Sequence, residues 1–290
     1  AGADAFITGE MSYHEYFGHE QEIHYEDKRL IIPPIMDESL GHRTHTRDPK
    51  VWKYKDSYSM ILGSKFKQED NDKFTGEALF YTSKDGEKWT YKNRCYDDTI
   101  GDMWECPDLF EVDGRYVLVM SPENIIADDI NYTNNSVYSI VDFDEETCEM
   151  KLINNQKFLD EGLDLYAPQT TLDEFGNRVL IGWMRMPLTF DGEDWIGMMS
   201  LPRVINIKNN DVYFSAPEYI DKLFNKEVKL SEFDVNDVYK LNATLNKDSV
   251  LDIGGYKISI VDDSIVTDRS KVFPDMKRKG RVFKSSKLNG

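Results

Sequence analysis

Residues 48–64 read DPKVWKYKDSYSMILGS: an opening proline, an extended stretch, a polar turn and a second apolar stretch. The same layout returns at residues 106–122, CPDLFEVDGRYVLVMSP, and at residues 167–184, APQTTLDEFGNRVLIGWM. The opening prolines are Pro49, Pro107 and Pro168, separated by 58 and 61 residues. Repetition at a nearly fixed period predicts that each repeat forms one structural unit packed against its neighbours.

Each repeat contains two predicted hairpins. The dipeptides Asp85-Gly86 and Asp113-Gly114 are flanked by residues that alternate in hydrophobicity, which is the pattern of a β-hairpin turn. Four antiparallel strands per repeat predict an all-β fold built from propeller blades. A β-sandwich with accidental internal similarity is the alternative, and the shared opening proline argues against it.

The three repeats do not suffice for a closed ring, since a propeller typically needs about four to eight blades. We therefore predict an incomplete propeller, roughly three blades, over residues 27–215, preceded by an atypical segment at residues 1–26. After Pro217 the pattern changes, and residues 250–270, VLDIGGYKISIVDDSIVTDRS, alternate as a further hairpin series. Residues 216–290 are predicted to begin a separate β-sandwich.

Charge and composition exclude several classes of partner. The 290 residues carry 35 Lys and Arg against 53 Asp and Glu, a net charge of −18, so the surface repels nucleic acid and anionic membrane lipids. The apolar runs are far shorter than the ~20 residues that cross a bilayer. The three cysteines are scattered and the N-terminus shows no basic leader, so we predict a cytoplasmic protein.

A carboxylate lies shortly before each opening proline: Asp48, Glu105 and Asp164. The innermost strands of a propeller surround a channel, so these acids are predicted to meet at its mouth. Gathered carboxylates repel one another, which keeps one of them protonated at neutral pH. A protonated carboxyl group beside ionised ones is the catalytic arrangement of a glycoside hydrolase. The alternative is that the acids cap turns.

Five ordered motifs resemble those of glycoside hydrolase family 32, the β-fructofuranosidases. They are HTRDPKVW (45–52), WECPDLF (104–110), GLDLYAPQT (162–170), IGWM (181–184) and MSLPRVI (199–205). The resemblance implies a five-bladed propeller followed by a β-sandwich. It also implies retaining hydrolysis of terminal β-fructofuranosyl linkages in sucrose, sucrose 6-phosphate or fructans. No metal or organic cofactor is implied, and the expected partner is a small sugar.

The resemblance also assigns roles to residues. Glu105 would be the general acid/base and Asp48 the stabiliser of the transition state. Sugar contacts would come from Arg47, Asp108, Tyr166 and Trp104, although a buried core position is the alternative for the tryptophan. The nucleophilic aspartate of the family lies in an early Asn-Asp-Pro-Asn-Gly-type motif, which these 290 residues do not contain. We therefore predict a truncated chain with little turnover. A noncatalytic fructoside-binding propeller is the alternative.

Residues 2–23, GADAFITGEMSYHEYFGHEQEI, resemble a different family, the toroidal dinuclear-metal proteins named after GTP cyclohydrolase I type 2 homologues. The downstream metal motif of that family is missing, so we predict no metal site at His14, His19 and His24. A metal-dependent hydrolase built on these histidines stays an open alternative. The abrupt change of character predicts a composite chain, joined near residues 24–28.

Overall fold

A computed structural model describes most of the chain. The described residues are 30–69, 72–127, 130–154, 156–162, 164–186, 189, 192, 194–234, 238–273 and 282–287. Predictions for residues 1–26, including the three histidines, lie outside them. Within the described part, no helix has the length and apolar character needed to span a membrane.

Two compact units make up the described chain. The first unit holds the described residues up to Leu159 together with Tyr166–Thr170 and Ile207–Asp211. The second unit holds Asp160–Leu165, Thr171–Asn206 and the described residues from Val212 onward. All three stretches that contain an opening proline belong to the first unit.

Each repeat forms one antiparallel sheet. The first sheet runs in the order β1 (Arg47–Tyr54), β2 (Ser57–Lys67), β3 (Phe74–Ser83) and β4 (Thr90–Tyr96). The second comprises β5 (Met103–Val112), β6 (Arg115–Ala127), β7 (Ile130–Asn134), β8 (Val137–Asp144), β9 (Glu149–Leu152) and β10 (Lys157–Phe158), in the order β10-β8-β6-β5, with β7 on β6 and β9 on β8. The third comprises β11 (Leu165–Leu172), β12 (Arg178–Met184), β13 (Met198–Met199), β14 (Arg203–Lys208) and β15 (Asp211–Ser215), in the order β11-β12-β14-β15, with β13 on β12. The all-β prediction is confirmed, and the arrangement of these sheets as an incomplete propeller stays a prediction.

The fourth sheet follows a short helix, α1 (Glu218–Asp221), and a single 3-10 turn, Leu230–Glu232. Its strands pair with their sequence neighbours: β16 (Val250–Ile253), β17 (Tyr256–Val261), β18 (Ser264–Asp268) and β19 (Val282–Lys287). The predicted hairpin series is confirmed here, whereas the β-sandwich and the predicted domain boundaries stay predictions.

The predicted turns have the backbone that their residues favour. Asp113 (φ 53°) and Gly114 (φ 71°) form the two-residue turn between β5 and β6, where Val112 pairs with Arg115. Two successive left-handed residues match the twist of antiparallel strands, and glycine and aspartate adopt that conformation most readily. The Asp85 carboxylate instead accepts from the main-chain N–H groups of Glu87 and Lys88, which stabilises a wider turn between β3 and β4.

A shared core joins the first two sheets. Ile61 and Phe80 of the first sheet and Trp104, Leu118 and Met120 of the second are all buried in one cluster. Each such side chain contributes about 1.5 to 3 kcal/mol by leaving water. This core fixes β5 against the first sheet and thereby fixes the separation of β1 and β5.

Two glycines allow β5 to approach so closely. A Cβ atom on Gly76 would lie 2.2 Å from Cδ1 of the Trp104 indole, and one on Gly63 would lie 2.0 Å from the Trp104 carbonyl oxygen. The indole N–H donates to the carbonyl of Ile100 at 2.8 Å. Trp104 is therefore buried between the two sheets, with its indole N–H hydrogen-bonded.

The opposite face of the first sheet is covered by the segment before β1. This face presents Met60, Leu62, Leu79 and Tyr81, and the side chains packed on it include Ile31, Ile32, Ile35 and Leu40. Residues 30–46 add no strand to the sheet within the described part of the chain. They act as an apolar cover for a face that would otherwise meet water.

Candidate active site

A β-bulge interrupts the first two opening strands, β1 and β5, at their prolines. Pairing shifts between Arg47 and Lys50 in β1, and between Glu105 and Asp108 in β5. In all three opening strands the residue before the proline has a positive φ: 60° at Asp48, 49° at Cys106 and 50° at Ala167. Such backbone costs about 1 to 3 kcal/mol per residue. Bulges also redirect neighbouring side chains.

The residues two positions before the prolines meet: Arg47, Glu105 and Tyr166. The Arg47 guanidinium donates to Oε1 of Glu105 from Nε at 3.1 Å and from Nη2 at 2.5 Å. The Tyr166 hydroxyl donates to the other oxygen, Oε2. Both oxygens of Glu105 are thus held by the two neighbouring opening strands, and the side chain is only 17% exposed.

Asp48 lies beside the same guanidinium. Its Oδ2 accepts from the main-chain N–H of Cys106 at 2.9 Å and lies 3.9 Å from Nε of Arg47. One arginine therefore brings Asp48 and Glu105 into one site, although 57 positions separate them in the sequence. Asp48 is the more accessible of the two carboxylates, with 32% of its side chain exposed.

The residues after the prolines form a second polar layer. Lys50 donates to the Thr170 carbonyl at 2.7 Å, to Oε1 of Gln169 at 3.3 Å and to Oδ2 of Asp108 at 3.3 Å. That same oxygen of Asp108 accepts from the main-chain N–H of Thr170 at 2.6 Å. These hydrogen bonds connect β1, β5 and β11. They therefore position the strands that carry Arg47, Glu105 and Tyr166, and this role requires no contact with a ligand.

Neighbouring groups keep Arg47 charged and oriented. Burial by itself lowers the pKa of Arg47, but the hydrogen bond and charge of Glu105 and the charge of Asp48 raise it overall. Nη1 lies 3.2 Å from Nδ1 of His45, and because a guanidinium can only donate, that ring nitrogen must accept. Burial, followed by the charge of Lys65, lowers the pKa of His45, which favours this unprotonated nitrogen.

Cys106 is a poor candidate for a nucleophile. Burial and the Asp48 carboxylate both raise the pKa of its thiol, so the reactive thiolate is disfavoured. It contributes to the site by holding Asp48: its main-chain N–H donates to Oδ2 at 2.9 Å, and its thiol makes a weak hydrogen bond to the same oxygen at 3.5 Å.

Three predictions from the sequence need correction. Trp104 has no exposed surface and belongs to the core, so it offers no face to a sugar. Asp108 is likewise fully buried and pairs with Lys50 and Thr170, so it is not a direct sugar contact. The acids do not occupy equivalent positions either: Asp48 matches Cys106 and Ala167, Glu105 matches Arg47 and Tyr166, and Asp164 pairs with Arg269 in the second unit.

The other predicted residues come together. Arg47, Asp48, Glu105 and Tyr166 share one hydrogen-bonded cluster, in which Tyr166 is buried and directed at Glu105. Sequence reasoning missed Lys50 and Glu123. Alignment of the three opening prolines would have pointed to Lys50, because it stands where Asp108 and Gln169 stand in the later repeats. Glu123 carries no such signal, since only the pairing of β6 with β5 brings it to the site.

Chemically, this cluster can give and take a proton while stabilising positive charge. Glu105 is shielded and oriented by hydrogen bonds to both of its oxygens, and Asp48 presents a more accessible carboxylate beside the same guanidinium. No group of three or more His, Cys, Asp or Glu side chains within the described residues has an arrangement that could hold a metal ion.

Comparison with known proteins gives a family. Residues 6–217 match the family model described as the glycosyl hydrolases family 32 N-terminal domain. Sucrose-6-phosphate hydrolase of Vibrio alginolyticus is 35% identical over 208 residues, which are 68% of this chain and 42% of the relative. The Bacillus subtilis (strain 168) protein of that name is 36% identical over 197 residues, 62% of this chain and 39% of the relative. The matches thus span about two fifths of these relatives.

Solved structures share the fold. Sucrose-6-phosphate hydrolase from Lactobacillus gasseri superposes with a TM-score of 0.67 at 22% identity, over 86% of this chain and 56% of that chain. A mutant of the Bombyx mori GH32 β-fructofuranosidase in complex with sucrose gives 0.66 at 24% identity, over 88% and 55%. The family match begins at residue 6, and none of these comparisons supports the predicted resemblance of residues 2–23 to GTP cyclohydrolase I type 2 homologues.

Proposed function

The chain belongs to family 32 of the glycosyl hydrolases, and from that premise we propose that the cluster around Arg47 is the acid/base half of a β-fructofuranosidase active site. Its substrates would carry a terminal β-fructofuranosyl group, as sucrose, sucrose 6-phosphate and fructans do. The names of the relatives, sucrose-6-phosphate hydrolases, favour the phosphorylated sugar. We keep a cytoplasmic location as part of this proposal.

One observation carries the proposal: Asp48 and Glu105 lie beside a single guanidinium, while a backbone N–H donates to Oδ2 of Asp48 and a tyrosine hydroxyl donates to Oε2 of Glu105. If the two acids only capped turns, each carboxylate would accept hydrogen bonds from main-chain N–H groups close to it in the sequence. Here the partners come from three different opening strands, which supports a shared role for the two carboxylates and the cation.

In the proposed reaction Glu105 donates its proton to the glycosidic oxygen, and the bond from the fructose anomeric carbon to that oxygen breaks with its electron pair going to the leaving group. A carboxylate nucleophile forms a bond to the anomeric carbon at the same time. Glu105 then removes a proton from water, whose oxygen displaces the nucleophile. Asp48 accepts hydrogen bonds from fructose hydroxyls and stabilises the positive charge that develops on the ring.

The 290 residues contain no Asn-Asp-Pro-Asn-Gly motif to supply that nucleophile. We therefore propose that this polypeptide by itself binds fructosides with little or no turnover. The alternative, a noncatalytic fructoside-binding protein, uses the same Asp48 and Arg47 but assigns no proton transfer to Glu105.

Binding and turnover measured on one preparation test the proposal. Isothermal titration calorimetry with sucrose, sucrose 6-phosphate and an inulin oligosaccharide should detect binding, whereas maltose and lactose, which lack a fructofuranosyl group, should not bind. Asp48→Asn should weaken fructoside binding at least about tenfold, because it removes a charged acceptor. Fructoside binding no tighter than maltose binding by the folded chain overturns the proposal.

The acid/base role is tested in a complete relative, the Vibrio alginolyticus sucrose-6-phosphate hydrolase, with substitutions at the aligned positions. The counterpart of Glu105→Gln should lower kcat by about 100-fold or more with little effect on sugar binding, because it removes proton transfer and keeps the shape. The counterpart of Glu111→Gln is the matched control, since Glu111 is an exposed glutamate six residues further along β5. Equal losses of binding and kcat contradict the acid/base role and favour the alternative.

A further inference from the structure

Arg47 is shared by two glutamates, of which the proposed chemistry uses one. Its Nη2 lies 2.5 Å from Oε1 of Glu105 and 3.2 Å from Oε1 of Glu123. Glu123 lies on β6 two pairing positions from Glu105, opposite Met103, and 31% of its side chain is exposed. The neighbouring strand β6 therefore supplies a second carboxylate that accepts from the same nitrogen atom of Arg47.

The guanidinium that Glu105 shares with Glu123 bears on a conflict in the role proposed for Glu105. A general acid must hold a proton, but a guanidinium at hydrogen-bond distance favours the ionised carboxylate. When Glu105 takes up the proton, Arg47 loses its strongest partner while three quarters of its side chain stays shielded from water. Asp48 would then be the nearest remaining charge, 3.9 Å from Nε, unless a second carboxylate accepts a hydrogen bond from the guanidinium. A shielded cation without a charged hydrogen-bond partner is unfavourable.

We propose that Glu123 is a positioning residue that holds the charge of Arg47 in place while Glu105 carries the proton. This inference rests on the acid/base role proposed for Glu105. In the ionised state of Glu105 the guanidinium bonds to both glutamates, as observed. In the protonated state the ion pair with Glu123 remains, so Arg47 stays beside Asp48 and the site keeps its shape through the proton cycle.

The charges around Glu123 fit this role. Burial and the adjacent Glu105 carboxylate raise the pKa of Glu123, Asp102 adds to that effect, and Arg47 and Lys65 oppose it. Glu105 itself contacts Tyr166 through Oε2 and Arg47 through Oε1. Arg47 in turn lies near Glu123 on β6, near Asp48 on β1 and near His45 just before β1. Because the Glu105 carboxylate raises the pKa of Glu123 across the shared guanidinium, removal of Glu105 must lower the pKa of Glu123.

Carboxyl carbon NMR of the glutamate-labelled 290-residue chain measures this coupling without needing turnover. Loss of one signal in Glu123→Gln assigns the Glu123 resonance. In Glu105→Gln the apparent pKa of Glu123 should fall, because Arg47 then pairs with Glu123 alone and the repulsion between the glutamates is gone. Glu149→Gln, an exposed glutamate on β9, is the control with the same charge change and should leave the Glu123 titration unchanged.

A second measurement separates positioning from simple charge repulsion. In Glu105→Gln, which mimics the protonated acid, a crystal structure should show Arg47 on Glu123, and in the double variant Glu105→Gln/Glu123→Gln the guanidinium should leave the site. Glu105→Ala is the reserve variant if Glu105→Gln unfolds, and it should shift the Glu123 titration in the same direction. An unchanged Glu123 titration in a folded Glu105 variant, or an unmoved Arg47 in the double variant, overturns the inference. Failure of fructoside binding alone would overturn the proposed function and leave this coupling measurable.

Discussion

Asp48 accepts a hydrogen bond from the main-chain N–H of Cys106, so the carboxylate of the first opening strand is held by the backbone of the second. The donor is available because Cys106 has a positive φ of 49° at the bulge. The position of Asp48 therefore depends on a strained backbone conformation more than on the identity of the side chain at residue 106.

The first prediction follows from that dependence. Cys106→Ala keeps the N–H and tolerates the conformation, so its free energy of unfolding should stay within about 1 kcal/mol of wild type. Cys106→Val places a β-branched side chain at a positive φ and should destabilise the protein by about 1 to 3 kcal/mol. Urea denaturation followed by tryptophan fluorescence measures both. Equal stability of the two variants would show that the bulge is not strained.

The second prediction concerns Lys50 and the buried Asp108. Lys50→Met leaves a carboxylate with no exposed surface and no cation beside it, and a buried charge without its partner is strongly unfavourable. We expect a loss of about 2 to 4 kcal/mol in unfolding free energy, measured by urea denaturation at pH 7. The double variant Lys50→Met/Asp108→Asn should recover part of that loss, because it removes the unpaired charge. A Lys50→Met variant as stable as wild type contradicts the positioning role of this layer.

The third prediction tests the close approach of the two sheets. Gly76→Ala would place a Cβ atom 2.2 Å from the Trp104 ring and should cost about 1 to 3 kcal/mol by overpacking. In a Trp104→Phe background the same change should cost less, since the smaller ring leaves room beside residue 76. Strictly additive losses in this double-mutant cycle would argue that the two residues do not press on each other.

The sequence was sufficient for the parts of the fold that depend on local chemistry. The spacing of the opening prolines and the Asp113-Gly114 turn have direct local causes, and each repeat forms one sheet. The family motifs also pointed to Asp48 and Glu105, which the fold brings to one arginine.

The grouping of the acids was an error of alignment. Counted from the opening prolines, Asp48, Glu105 and Asp164 lie one, two and four residues before the proline, so they are not equivalent positions. Details that depend on packing were not predictable from the sequence. Trp104 and Asp108 are buried by packing between β5 and its neighbours, and this packing leaves no trace in their own motif.

Glu77 provides the last prediction, because it is a carboxyl in the middle of β3 with no exposed surface. Its Oε2 lies 3.4 Å from Nη1 of Arg94, and its Oε1 has no hydrogen-bond partner in the described structure. Burial raises the pKa of Glu77 to about 8, with Arg94 and Ser64 only partly opposing the effect. In the unfolded chain the carboxyl returns to its ordinary value of 4.5.

The sign of the effect on stability follows from these two values. Between pH 4.5 and about 8 the folded state holds a proton that the unfolded state releases, so the free energy of unfolding falls as pH rises through this window and levels off above it. Glu77→Gln has no proton to lose and should remove this slope. We expect Glu77→Gln to match wild type near pH 4.5 and to exceed its unfolding free energy at pH 9 by a few kcal/mol, at most about 5. The exposed Glu149→Gln serves as the control, and parallel pH profiles for wild type and Glu77→Gln would mean that Glu77 is ionised in the folded protein at neutral pH.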